Sequence, residues 1–440
     1  MPPSTSAPAF KITQAAPVTT GQRMRNIFGG SIGNLIEWYD FYIYNSFAIY
    51  FAKSFTNSQD QTVQFLQVFG IYAIGFFIRP VGGFVLGYYA DRAGRRAALT
   101  LSVMLMCAGS GMIALLPTYA QVGVWAPLLL LLARLLQGLS LGGEYASSAT
   151  YLSEVAGAKN RGFWSSFQYV TLIGGQVLAA LVLLVMQQRF SGAELEAWAW
   201  RIPFGIGAVC ALYGLYLRRN LAESADWVRA NQTRAERPSL LRQLIAHPKE
   251  VLLVFGLTMG GTTAFYTFSA YMPTYLSNTL KFPKEWTAEI SFITLFLFMA
   301  MQPLFGAISD RVGRRPVLMW FGILGTLLTV PILTALSGTK GYTEALLLIL
   351  GALVIVTGYT SINAVVKAEL FPAGVRALGV GVPYAIAASL FGGTAPLIAL
   401  QFKSSGHEDW FYWYVTAMIA ISLLVYATMR DTKKASRIVD

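Results

Sequence analysis

Five ionisable side chains stand inside long apolar stretches of this chain: Glu37, Asp40, Arg79, Arg134 and Glu144. A charge deep in a hydrocarbon layer costs at least ~2.5–3.5 kcal/mol, so a residue kept there is functional by default. Asp40 and Arg134 can form a proton switch. A carboxylate out of water takes up a proton, and a nearby guanidinium keeps it ionised. Moving Arg134, or engaging it with substrate, lets Asp40 take the proton; the alternative is a permanent structural ion pair. At ~100° per residue, Glu37 and Tyr44 share a narrow helical face with Asp40. Glu37 therefore tunes this site or binds substrate, and Tyr44 is a substrate candidate. Glu144 shares an arc with Gln137 and Arg134. It joins the proton-coupling set, or it makes an interhelical hydrogen bond in a tight crossing after its two preceding glycines. Arg79 offers a planar two-donor fork that fits a carboxylate, and no acidic residue lies within one turn of it. Arg201 could hold a second carboxylate, or form an ion pair at a surface or gate. Lys367, near a helix end, reads as a lysine that snorkels to the interface rather than a ligand.

The elements that must position these groups are membrane spans. The chain has 440 residues, 55% hydrophobic and 12% charged, with mean hydropathy +0.53. Soluble proteins carry about 25% charged residues, and the apolar runs have the ~20-residue length that crosses a ~30 Å hydrocarbon core. A net charge of +12 could suggest nucleic acid, but its placement excludes that partner. Basic gaps (Arg92/Arg95/Arg96, Lys159/Arg161, Arg218 to Lys249, Arg311/Arg314/Arg315, Arg430 to Arg437) alternate with sparse ones (Lys53, Arg189, Lys281/Lys284, Lys340, Lys403). That alternation is the positive-inside pattern. It puts both termini on the cytoplasmic side and makes the number of spans even. Twelve helices fit, starting near residues 27, 65, 97, 125, 162, 201, 250, 288, 316, 343, 377 and 410. The expected organisation is a disordered tail 1–25, a bundle 26–219, a cytoplasmic loop 220–249, a bundle 250–430 and a tail 431–440. Cys107 and Cys210 lie in apolar runs and exclude a disulfide framework. His247 and His407 make no metal cluster, and no metal or cofactor is expected.

Two motifs recur about half a chain apart. Gly87-Tyr-Tyr-Ala-Asp91-Arg92-Ala-Gly94-Arg95-Arg96 returns as Gly306-Ala-Ile-Ser-Asp310-Arg311-Val-Gly313-Arg314-Arg315. Glu154…Arg161 returns as Glu369…Arg376, again with the Arg seven residues after the Glu. Paired turns at nearly one offset indicate a duplicated bundle, the usual architecture of a transporter. Gly87 and Gly306 permit close helix approach. Asp91, Arg95, Glu154, Arg161, Asp310, Arg314, Glu369 and Arg376 are expected to form a gate at the cytoplasmic end, unless they only set topology. Exposed pairs worth about 0–1 kcal/mol each suit a gate that must open. The buried charges all lie in the first half; the second half offers neutral polar groups, among them Tyr266, Tyr359, Asn363 and Tyr384, as substrate contacts. Gln168 and Gln176 join these candidates.

The doubled turn resembles the signature of the major facilitator superfamily. Asn34-Leu-Ile-Glu37-Trp38-Tyr39-Asp40-Phe41, Arg134-Leu-Leu-Gln137-Gly138 with Gly142-Gly143-Glu144-Tyr145, and Ala368-Glu369-Leu-Phe371-Pro372-Ala-Gly-Val-Arg376-Ala resemble its metabolite:proton symporter family. Ser166-Phe-Gln168-Tyr169-Val-Thr171-Leu-Ile-Gly174-Gly175-Gln176 and Trp200-Arg201-Ile-Pro203-Phe are similar to its carriers of α-ketoglutarate. The likeness spans about residues 25–430; the central loop departs from it. It implies an all-α membrane protein of twelve transmembrane helices in two pseudo-symmetric six-helix bundles. It implies proton-driven import of a small dicarboxylate by a functional monomer in a bacterial inner membrane. Asp40 and Arg134 occupy the positions of the coupling Asp and Arg of sugar:proton symporters. Citrate, shikimate, an aromatic acid, proline or betaine are the alternative substrates. A non-transporting nutrient sensor is the alternative class, and an enzyme is excluded for want of a nucleotide loop, metal cluster or nucleophile motif.

Overall fold

The computed structural model describes residues 20–438 apart from Gly94, Gly143, 219–244 and 373–374. The described residues form helices and short connections, with no strand. Twelve long helical segments follow one another. They are α1 (Thr20–Phe51), α2 (Gln61–Phe77 continued by Arg79–Ala93), α3 (Arg95–Leu115) and α4 (Trp125–Leu141, then Glu144–Val155). Next come α5 (Arg161–Arg189), α6 (Arg201–Arg218), α7 (Pro248–Asn278) and α8 (Lys284–Val312). The last are α9 (Arg314–Gly338), α10 (Tyr342–Leu370), α11 (Arg376–Ser404) and α12 (Glu408–Thr428). Eight of the described helices are long and apolar enough to cross a membrane by themselves, and α3, α4 and α6 carry shorter apolar stretches. The first helix starts at Thr20, earlier than the polar tail suggests, and most of the central loop lies outside the described residues.

The packing repeats across the two halves. Helix α1 lies on α5 as α7 lies on α11, and α3 lies on α6 as α9 lies on α12. The bundles meet through α5 against α8 and α2 against α11, which exchange places under the same repeat. The outer faces are apolar: Leu115, Trp125, Val209, Leu327, Trp413 and Leu424 are exposed. The interior holds Asp40, Arg134, Gln137 and many Thr and Tyr residues. In lipid, apolar side chains gain nothing by turning inward, and polar groups must find partners inside the protein.

Glycines set the close crossings. A Cβ on Gly162 would meet the Gly306 carbonyl at 2.6 Å, so α5 and α8 approach backbone to backbone. Gly313 links α8 to α9 at φ +103°, a conformation that side chains resist. Among the described residues, regular ladders break at mid-length in α2 at Ile78–Pro80, in α7 and α11 as π-helical turns at Tyr266–Tyr271 and Ala388–Gly393, and in α10 at Ser361–Ile362. Such breaks are tolerated in a membrane only where protein surrounds them.

Candidate functional site

The Asp40 site lies inside the first bundle. Asp40 is 1% exposed. It accepts from the Ser110 hydroxyl of α3 and, at 3.0 Å, from Nε2 of Gln137 on α4. The same Nε2 reaches Ser110 Oγ at 2.8 Å. Gln137 Oε1 in turn accepts from Nη1 of Arg134 at 2.7 Å. The two charges paired in the sequence reading are therefore linked through an amide rather than directly. Gly207 of α6 makes the room, since a Cβ there would stand 2.1 Å from Asp40 Oδ1. Arg134 is fully buried, lies over the rings of Phe41 and Tyr44 at 4.4 Å, and leaves Nε and Nη2 without hydrogen-bond partners. Tyr44 belongs to this group, its hydroxyl donating to the Val68 carbonyl at 2.7 Å. Glu37 is buried one turn before. The side chain of Glu144 lies outside the described residues.

A second chamber lies between the bundles. Arg79, 5% exposed, stacks on Phe76 at 3.8 Å and Phe41 at 4.2 Å and also leaves Nε and Nη2 unpartnered. Phe41 thus sits under both guanidiniums and joins this chamber to the Asp40 site. Tyr266 meets Phe76 edge-on. Gln168 is fully buried with neither amide atom bonded, and Gln176 reaches Ser269 of α7 at 3.2 Å. Asn363 donates to the hydroxyls of Tyr145 (3.1 Å) and Tyr169 (2.7 Å), which ties α10 to α4 and α5. Tyr384 stacks on Tyr145 with centroids 3.7 Å apart. Tyr359 is buried on α10, packed over Gly261.

Lys367 corrects the sequence reading. It is fully buried rather than snorkelling, its ammonium lying 3.9 Å over the Tyr384 ring. Tyr359, Asn363 and Lys367 stand at four-residue spacing, a stripe that puts Lys367 in line with two of the expected substrate contacts. Arg201 stands apart from the chamber: its nitrogens donate to the carbonyls of Leu116 (2.9 Å) and Ala197 (3.5 Å), and it stacks on Trp200.

The end that carries the turn motifs is closed by charges. Asp310 accepts from the backbone N–H of Gly162 (2.8 Å) and Phe163 (2.9 Å), where an anion at a helix start is favoured. It also pairs with Arg314 at 2.8 Å. Glu369 meets Arg314 at 3.5 Å and Arg161 at 4.0 Å, and Glu154 pairs with Arg376. The repeated Glu and Arg therefore exchange partners across the two halves. The side chains of Asp91 and Arg95 lie outside the described residues. The chain after α12 is not a loose tail here. Asp431 accepts from the N–H groups of Arg314 and Arg315, Thr432 donates to Glu369 at 2.6 Å, and the Arg437 carbonyl accepts from Arg376 at 3.1 Å. At the opposite end Lys284 pairs with Glu196 at 2.6 Å and Asn278 reaches Thr62 at 3.4 Å, so contacts between the halves close the chamber there too.

The arrangement is a group of buried polar and aromatic side chains between two halves related by a repeat, with Arg79 Nε and Nη2 and Lys367 Nζ lacking hydrogen-bond partners and a separate buried carboxylate at Asp40. Known proteins are similar to this chain in sequence and in fold. The sugar (and other) transporter family matches residues 27–244 and 233–437. The α-ketoglutarate permease of Escherichia coli (strain K12) is 48% identical over 420 residues, 95% of this chain and 96% of that protein. The citrate-proton symporter of Klebsiella pneumoniae is 31% identical over 90% of this chain and 88% of its own length. A putative proline/betaine transporter of Staphylococcus haemolyticus is 33% identical over 92% of this chain and 87% of its own. In fold, the partially occluded inward-open xylose transporter XylE from E. coli superposes with TM-score 0.74 at 18% identity, covering 94% of this chain and 99% of that one. Matched through both bundles and aligned nearly end to end with its relatives, the chain belongs to the sugar (and other) transporter family of the major facilitator superfamily.

Proposed function

We propose that this protein imports a small dicarboxylate, α-ketoglutarate, together with protons by alternating access. The observation that carries the reading is Arg79: a buried guanidinium in the chamber between the bundles, two nitrogens free of protein partners, lying over the rings of Phe41 and Phe76. Its fork fits one carboxylate. The permease relative supports the choice of acid, and the citrate-proton symporter relative supports the coupling ion. Asp40 carries the proton. Engaging Arg79 shifts Phe41, which lies under Arg134 as well, and a displaced Arg134 releases Gln137 from its present bonds; Asp40 then loses its indirect link to a cation and binds a proton. The motif end faces the cytoplasm with both termini, in a bacterial inner membrane, and the monomer suffices because the chamber is built from one chain. The protein is a carrier and not an enzyme.

The test is uptake of labelled α-ketoglutarate, citrate, proline and betaine into proteoliposomes, with and without an imposed pH gradient. α-Ketoglutarate should accumulate only with the gradient. Asp40→Asn should abolish accumulation and spare exchange of substrate across the membrane, because the amide keeps the shape of the site and cannot carry the proton. Gradient-driven accumulation by that variant would remove Asp40 from its role.

A further inference from the structure

Lys367 is the buried cation that this reading leaves unused. It is 0% exposed and its Nζ has no hydrogen-bond partner. It rests over the rings of Tyr384 (3.9 Å) and Tyr145 (5.4 Å). Rings give a desolvated cation about 2 kcal/mol, whereas taking an ion out of water costs several. The nearby Glu369 does not neutralise it; that carboxylate is taken by Arg314, Arg161 and Thr432 at the closed end. The described groups that lie against the amine are the rings of Tyr145 and Tyr384. Tyr145 and Tyr169 are fixed by Asn363, and Asn363 Oδ1 and Ser361 Oγ, one helical turn or so away on α10, are themselves unpartnered. The protein therefore buries an amine with no hydrogen-bond partner and, among the described residues, no anion paired with it, just inside the closed end.

Arg79 presents the matching charge from the first bundle. Helix α11 connects the two: Tyr384 lies under the Lys367 amine, and five residues on Ser389 meets the carbonyl of Phe76, whose ring lies under Arg79. We propose that Lys367 is the anchor for the second carboxylate, so that a diacid is held by Arg79 on one bundle and by Lys367 on the other. The inference rests on the dicarboxylate reading above and names the residue that makes it selective for two carboxylates. It also gives the substrate a part in closure. A ligand that touches both bundles at once binds the closed arrangement better than either open one, and only such a difference in affinity shifts the population.

The test is binding of three probes to the purified full-length protein: α-ketoglutarate, 2-oxopentanoate, which lacks the distal carboxylate, and 4-oxopentanoate, which lacks the other. Lys367→Met should raise the Kd of α-ketoglutarate at least tenfold and leave at least one of the two monoacids within threefold. A smaller loss for α-ketoglutarate, or an equal loss for all three probes, overturns the proposal and makes Lys367 a packing charge. Lys367→Gln, measured with the same probes, replaces the Met variant if that does not purify as a folded protein. A native protein that binds no α-ketoglutarate fails the dicarboxylate reading itself, before any variant is compared.

Discussion

Gln137 can link Arg134 to Asp40 because an amide carries an acceptor and a donor on one carbon. Its oxygen takes the guanidinium N–H and its nitrogen gives to the carboxylate and to Ser110. A charge is thereby felt across the site without an ion pair that would have to be broken outright in each cycle. Arg79 works differently, through shape. Its guanidinium lies over two phenylalanine rings, which restricts the fork before any ligand arrives. Lysine in its place keeps the charge and loses the planar fork of two parallel donors. A lost charge-assisted hydrogen bond of ~1.5–3 kcal/mol predicts that Arg79→Lys raises the Kd for α-ketoglutarate at least about tenfold. Equal affinity in the two proteins, read by titration calorimetry, would make Arg79 a structural charge.

Helix α2 shows how a break becomes a contact between bundles. Pro80 has no N–H, so the Phe76 carbonyl one turn earlier loses its ladder donor. Ser389, in the π-helical turn of α11, faces it with its hydroxyl at 2.7 Å, and shares that one hydrogen with the Ala385 carbonyl of its own helix, also at 2.7 Å. Its neighbour Gly393 lets the Phe76 ring approach to where a Cβ would be, 2.3 Å away. The irregular turns of the two helices therefore hold each other, at the level of the chamber. Ser389→Ala leaves that carbonyl unbonded, and hydrogen bonds between membrane helices average ~0.6 and reach ~1.7 kcal/mol. The expected result is a lower melting temperature in detergent, recovered by adding Pro80→Ala, which restores the N–H. No drop on Ser389→Ala, or no recovery with the second change, would show that the bond does not hold the bundles together.

In the molecule as a whole, each end is closed by contacts between the two halves, and the motif end has an additional strap. Asp431, Thr432 and Arg437 bind the start of α9, Glu369 on α10 and Arg376 at the start of α11, all in the second bundle, and Ser436 accepts from Arg161 of the first bundle at 3.4 Å, a contact that must part when that end opens. The Asp431 carboxylate sits 2.3 Å from where a Cβ of Gly313 would be, so the strap requires glycine at that turn. Deleting residues 431–440 should weaken closure at this end. In a background without Cys107 and Cys210, a cysteine placed at Ser361 should react several times faster with a reagent added from the motif side. Unchanged labelling would mean that the ion pairs of Glu154, Arg161, Asp310, Arg314, Glu369 and Arg376 close the end unaided.

Apolar runs of membrane-spanning length, alternating basic gaps and a duplicated turn determine the twelve-helix, two-bundle fold from the sequence, because lipid leaves the backbone few ways to satisfy its polar groups. The charges Glu37, Asp40, Arg79 and Arg134 were legible for the same reason: nothing else explains their presence at depth. Lys367 was not. By its position along α10 it lies close to a helix end, where a lysine normally reaches water. Only the assembly of Glu369, Arg161, Arg314, Arg376 and the 431–438 strap over that end seals it inside. The same holds for the exchanged pairing of Glu154 with Arg376 and Glu369 with Arg161. Spacing along the chain fixes which charges share a turn, but which charge faces which is decided by how the two bundles close on each other.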